Sequence, residues 1–162
     1  MIMMLSIIFV CTGNTCRSVM AEMLLKYYLE NEVKAGNLEV SSAGLDALEG
    51  SDATYEVKQL LAEEGVGTFT HKARCLTSEM VDSADLILVM TGNHAKILKE
   101  EYPQAQNKIK LLKRFAGVTD GDYDITDPYG GNLQVYRNSL QEIKSSVWKL
   151  ISKLEINPNG IN

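Results

Sequence analysis

The run Leu5-Ser6-Ile7-Ile8-Phe9-Val10 passes without a break into Cys11-Thr12-Gly13-Asn14-Thr15-Cys16-Arg17-Ser18, and a helical pattern starts at once. The run is rich in β-branched and aromatic residues and reads as a strand buried on both faces. After the loop, Met20, Met23, Leu24, Tyr27 and Tyr28 recur at three- and four-residue spacing, the mark of a helix with one apolar face. Strand, glycine-containing loop and helix make the layout of a phosphate cradle, because loop N–H groups and the positive end of the helix converge on one point. That passage restricts the chain to the α/β class.

The remaining sequence continues the alternation. A short strand is predicted over Leu38 to Ser42, ending in Ser42-Ala43-Gly44. Ser51 or Asp52 can cap a second helix that turns Ala53, Val57, Leu60 and Leu61 inward and stops near Gly65. A loop containing His71 leads to a short helix from Thr77 to about Asp82. Ala84 to Met90 reads as a buried strand, about Asn93 to Glu101 as helix, and Lys108 to Leu112 as a fourth strand. The polar stretch Thr119 to Gly131 reads as a loop. Tyr136, Leu140, Ile143, Val147, Leu150 and Leu154 then mark a last amphipathic helix. Residues 1–156 are expected to form a single domain and 157–162 a flexible tail.

This order implies a three-layer α/β sandwich: a four-stranded parallel sheet with helices on both faces, doubly wound in the flavodoxin-like manner. Ligands of such sheets bind outside the carboxyl ends of the strands, where the strand order switches. The first strand delivers Cys11 to that edge.

Composition narrows the partners. At 162 residues the chain can bury a core without disulfides or metal. A net charge of -5 disfavours nucleic acid, whose affinity rests on basic patches, and requires any phosphate site to be locally positive. Cys11, Cys16 and Cys75 are too few and too odd in number for a secreted disulfide framework. Neither histidine has neighbours at ligand spacing, so no metal is expected, and no cofactor. The apolar start from Met1 to Val10 has no basic region and falls short of the roughly 20 residues of a membrane helix. No membrane partner is expected; the cytoplasm is, where thiols stay reduced. A monomer is the expected state.

The loop itself carries chemistry. A cysteine ends the strand and an arginine opens the helix, and the intervening backbone can curl its N–H groups inward as an anion nest. The helix N-terminus adds about half a unit of positive charge. A thiol placed there should have a depressed pKa and serve as a thiolate nucleophile. Arg17 offers a planar fork for two phosphate oxygens and for transition-state charge. Gly13 permits close approach or a positive φ, and Ser18 can donate to the thiolate. The phosphate-binding residues are thus expected to be Thr12, Gly13, Asn14, Thr15, Cys16, Arg17 and Ser18.

The stretch from Val10 to Ser18 resembles the signature loop of the low-molecular-weight protein tyrosine phosphatases. The resemblance continues in order through Ser42-Ala43-Gly44, His71, Arg74 and Asp127-Pro128-Tyr129, so it spans nearly the whole chain. It implies that Cys11 attacks phosphorus, Arg17 binds the phosphoryl oxygens and Asp127 protonates the leaving group. Asp127 would then activate the water that hydrolyses phosphocysteine. Asn14 and Ser42 resemble residues that hold the loop by hydrogen bonds, a network His71 is expected to join. Tyr129 is expected to wall the pocket. Among the other loop carboxylates, Asp120, Asp122 and Asp124, none precedes a proline.

The resemblance implies a phosphorylated protein as substrate, with inorganic phosphate as product. In tyrosine-specific members the residue at Thr15 is usually bulky and apolar, and two aromatics usually follow the Asp-Pro. Here Thr15 is polar, and Gly130-Gly131 follow Tyr129. This combination is similar to the bacterial protein arginine phosphatase branch, where the threonine and the acid bind a guanidinium. Phosphoarginine is therefore the expected substrate, with phosphotyrosine as the alternative. An arsenate reductase would need a resolving cysteine pair beyond the loop, and Cys75 stands alone and reads as structural filler. A silent phosphoprotein-binding module would need no nucleophile, and a nucleotide switch would need a glycine-rich run with lysine. Cys16, one loop away from Cys11, is a candidate partner for a protective disulfide or a residue packed under the loop.

Overall fold

The computed structural model describes residues 4–31, 37–119 and 121–156. Strands β1 (Leu5–Cys11), β2 (Leu38–Gly44), β3 (Leu86–Val89) and β4 (Ile109–Leu111) form an all-parallel sheet in the order β2-β1-β3-β4. They alternate with helices α1 (Arg17–Asn31), α2 (Tyr55–Glu63), α3 (Ser78–Ser83), α4 (Gly92–Glu101), α5 (Leu112–Ala116) and α6 (Leu133–Ile156). The expected four-stranded parallel sheet with flanking helices is the one observed.

The order places β1 inside the sheet. The chain leaves β1 to lay β2 on one side, then crosses to lay β3 on the other. The connections part at the carboxyl end of β1, which opens a crevice there. Cys11 is the last residue of that strand.

Successive side chains of β1 face opposite layers. Ile7, Phe9 and Cys11 join one core with Leu24 of α1, Leu60 of α2 and Leu140 of α6. Ile8 and Val10 join the other, with Val81 of α3 and Leu98 of α4. Burial on both faces is why the strand reads as an unbroken apolar run. The α6 stripe from Tyr136 to Leu154 is buried along its length. Each such large side chain contributes roughly 1.5–3 kcal/mol, so this helix anchors the layer that supports the loop.

The differences from the sequence reading are local. Helix α2 is capped by Thr54, whose hydroxyl accepts from Val57 N, and not by Ser51 or Asp52. The Asp52 carboxylate is instead bonded by Ala53 N and Lys58, leaving Ala53 outside the helix. Strand β2 runs on to Gly44, because Gly44 pairs in register with Cys11. The 3₁₀ turn Pro103–Lys108 and helix α5 are too short for an apolar period to show. Asp120 and the expected tail from Asn157 lie outside the described residues. No described helix is long and apolar enough to cross a membrane.

Candidate active site

The loop between β1 and α1 is clamped from both sides. Leu45 N donates to Cys11 O and Asp46 N to Thr12 O, each at 2.9 Å. On the other side Thr54 N donates to Thr15 O at 3.2 Å, and Met20 N to Cys16 O at 2.9 Å begins α1. Gly44 makes the first clamp possible: a Cβ there would lie 2.5 Å from Thr12 O. The left-handed residue of the loop is Asn14, at φ 54°, and Gly13 does not adopt a positive φ. Asparagine tolerates that conformation because its side chain can bond locally. A Cβ at Gly13 would meet only Thr15 Oγ1, at 3.7 Å.

Asn14 is also the hub of the loop. Its Nδ2 donates to Ser18 Oγ and to Ser42 Oγ, each at 2.9 Å. Its Oδ1 accepts from Arg74 N at 3.1 Å, and its carbonyl lies 2.7 Å from His71 Nε2. The structure thus joins Asn14, Ser42 and His71 in one hydrogen-bonded group with Arg74, whose Nε also donates to Ser42 O at 3.1 Å. Behind them Ser42 Oγ donates to Glu22 Oε1 at 2.5 Å, and Lys26 Nζ bonds Glu22 Oε2 at 2.5 Å.

Cys11 Sγ lies 3.0 Å from Ser18 Oγ at the start of α1. Arg17, buried, donates through Nη1 to Ile125 O at 2.9 Å and brings Nη2 to 3.5 Å from Asp127 Oδ2. The cavity they share, about 330 Å³, is lined by every expected loop residue except Asn14 and Ser18, and by Asp46, Leu48, Ser51, Asp127 and Tyr129. Asn14 and Ser18 are buried beneath it as supports. A larger cavity of about 500 Å³, bounded by Tyr27 and Trp148, contains no cysteine and no part of the loop.

Asp127 stands on a turn closed by Gly131 N donating to Pro128 O at 2.9 Å, and Tyr129 N caps Asp127 Oδ1 at 3.1 Å. Gly130 adopts φ 82°, and a Cβ on Gly131 would come within 2.9 Å of Val135 Cβ. The two glycines are therefore required by the turn itself. Of the two departures noted in the sequence, Thr15 is the one that lines the cavity.

His94 sits opposite. Its Nε2 lies 3.0 Å from Thr12 Oγ1, while its buried Nδ1 has no partner. Burial, reinforced by the Arg17 charge, lowers the His94 pKa to about 4. Cys16 is packed against Thr15, Thr54 and Tyr136, and burial pushes its thiol pKa up. Tyr136 is pushed up to about 12, by burial first and then by the neighbouring Cys16. Cys75, half-buried, donates to Ala47 O at 3.2 Å and takes no part in the cavity.

Two contributors escaped the sequence reading, Glu22 and His94, while Arg74 and Gly44 stood in the resemblance without a role of their own. Glu22 did carry a signal, since it stands four residues after Ser18 and so shares its helix face. His94 carried none.

Residues 6–159 match the family model "Low molecular weight phosphotyrosine protein phosphatase". The chain is 43% identical over 149 residues to a protein-arginine-phosphatase of Geobacillus stearothermophilus, covering 92% of this chain and 95% of that one. It is 37% identical over 151 residues to a protein-arginine-phosphatase of Bacillus subtilis (strain 168), covering 93% and 97%. The structure of a YwlE arginine phosphatase mutant with a phosphorylated active-site serine superimposes with a TM-score of 0.87 at 34% identity, over 98% of this chain and 100% of that one. With this loop and this sheet, the chain belongs to the low-molecular-weight phosphotyrosine protein phosphatase family.

Proposed function

We propose that this phosphatase hydrolyses phosphoarginine in proteins through a phosphocysteine on Cys11. The observation that carries the reading is the cavity at the carboxyl end of β1, where Cys11, Arg17, Thr15 and Asp127 line one space. Loop N–H groups from Thr12 to Ser18 and the Arg17 guanidinium take the peripheral phosphoryl oxygens. The Cys11 thiolate attacks phosphorus as the P–N bond breaks, and Asp127 gives its proton to the departing nitrogen, releasing an ordinary arginine guanidinium. Water then attacks phosphorus, passing a proton to Asp127, and inorganic phosphate leaves with Cys11 restored.

The guanidino preference is supported by acceptors in the cavity. Thr15 Oγ1 has only a 3.7 Å contact with Cys16 Sγ, and Asp127 faces the same space, so both can accept substrate N–H groups. A phenyl ring would leave them unpaired. The names of the Geobacillus and Bacillus relatives point the same way. The second reading, phosphotyrosine, is favoured by the exposed Leu48 and Tyr129 at the rim, which could flank a ring. Residues 1–156 would act as one phosphatase domain, in the cytoplasm and as a monomer.

The test is kcat/KM on matched phosphoarginine and phosphotyrosine peptides. The expected result is a clear preference for phosphoarginine, with Thr15→Ile raising relative activity on aryl phosphates. A preference of the wild-type enzyme for phosphotyrosine would reject the arginine assignment and leave the cysteine mechanism standing.

A further inference from the structure

We propose that Glu22 is a positioning residue for the reaction: its carboxylate takes the Ser42 proton, so that Ser42 is held as an acceptor for the Asn14 amide whose other N–H supports the Ser18–Cys11 hydrogen bond. The proposal rests on the reading of Cys11 as nucleophile.

The direction follows from counting protons along the chain. Arg74 N can only donate, so the atom of Asn14 it meets at 3.1 Å is the amide oxygen. The amide nitrogen therefore faces the two serines and donates one proton to each. Ser42 Oγ, already accepting from Asn14, must send its only proton onward, and Glu22 Oε1 receives it at 2.5 Å. Ser18 Oγ, likewise accepting from Asn14, is left with its own proton for Cys11 Sγ at 3.0 Å. Every donor on the path is thereby assigned, and the sulfur ends as an acceptor.

The role of Glu22 is to be an acceptor that cannot donate. An ionised carboxylate offers Ser42 no proton, so the serine cannot reverse and compete with Asn14. Lys26 Nζ, bonded to Oε2 at 2.5 Å, compensates the charge. As packing alone, Glu22 would be a poor choice, because it is buried among the apolar residues of α1 and a buried carboxylate costs several kcal/mol before it is paired. Neither oxygen touches the cavity, so Glu22 acts only through its neighbours.

The experiment compares wild type with Glu22→Gln, Glu22→Ala, Ser42→Ala and the Glu22→Ala/Ser42→Ala double variant. Two quantities are read: kcat and KM on a phosphoarginine peptide, and the pH profile of Cys11 alkylation by iodoacetamide, followed peptide by peptide. The alkylation readout needs no turnover. Glu22→Ala is expected to lower kcat about tenfold with little change in KM, and to move the midpoint of Cys11 alkylation to higher pH. In the Ser42→Ala background the same change should add almost nothing, since the path is already cut. Glu22→Gln keeps the shape of the side chain and is expected to move the midpoint in the same direction by a smaller amount; it carries the test if Glu22→Ala does not fold. An unmoved alkylation profile in both Glu22 variants, or losses that multiply in the double variant, overturns the proposal. Failure of the underlying reading would look different: Cys11→Ser would retain turnover.

Discussion

Arg17 Nη2 lies 3.5 Å from Asp127 Oδ2 across the mouth of the cavity, while Nη1 is held at 2.9 Å by the Ile125 carbonyl. One edge of the guanidinium is thus fixed by backbone, and the other is paired with a half-exposed carboxylate that a phosphoryl group can replace. Asp127→Ala removes both the proton donor and this competitor. It should lower kcat by about 10²–10⁴-fold, while inorganic phosphate inhibits as well as before or better. Product inhibition measured beside turnover checks this, and a variant that loses phosphate binding would contradict it.

Gly44 holds β2 against the loop, and a Cβ on it would lie 2.5 Å from Thr12 O and 3.1 Å from Asn14 N. Both neighbours are backbone, so neither can swing aside. Gly44→Ala should displace the loop and destabilise the protein by about 1–3 kcal/mol. kcat/KM should fall by more than the stability loss alone would cause. Urea unfolding and steady-state kinetics on one preparation separate the two effects.

The overall architecture was legible because its signals are periodic. The apolar run of β1 and the stripe of α6 each repeat over enough residues to identify the element, and the alternation of strands and helices sets the parallel sheet. Cys11, Arg17 and Asp127 were legible by residue type and order. What stayed hidden depends on which distant backbone approaches which. Thr54 displaced Ser51 and Asp52 as cap because Asp52 was taken up by Lys58 and Ala53. Of the two uses open to Gly13, a close approach or a positive φ, the second falls to Asn14, whose amide Ser18, Ser42 and Arg74 hold. His94 comes to Thr12 from 82 residues away, a distance that no local pattern encodes.

His94 gives the protein a specific sensitivity to acid. Its pKa is about 4 folded against an ordinary 6.5. Above 6.5 both folded and unfolded states leave it neutral. As pH falls from 6.5 towards 4, the unfolded chain binds a proton that the folded one refuses, so stability is lost across that window. Near pH 4.5 the loss from this group should be about 2–3 kcal/mol relative to pH 7. His94→Asn should flatten that part of the stability curve, as read by urea midpoints at the two pH values. An unchanged slope in the variant would show that His94 titrates normally.

Cys16 is protonated more tenaciously than an ordinary thiol because it is buried. Peroxide should therefore react first at Cys11, and Cys16 then resolve the sulfenic acid by forming a disulfide. Inactivation by peroxide should be reversed by dithiothreitol in the wild type, and largely irreversible in Cys16→Ser. Equal recovery in both would exclude Cys16 from the process and leave it as support beneath the loop.

The most direct trial of the whole account is to mix Asp127→Ala with a phosphoarginine peptide, quench rapidly and map phosphorylated peptides by mass spectrometry under conditions that preserve S–P bonds. A phosphoryl group bonded to sulfur on the peptide containing Cys11, and no phosphoryl group on that peptide in Cys11→Ala/Asp127→Ala, is the expected result. Wild-type turnover that persists in Cys11→Ser, with no phosphoryl group found on Cys11, would contradict it.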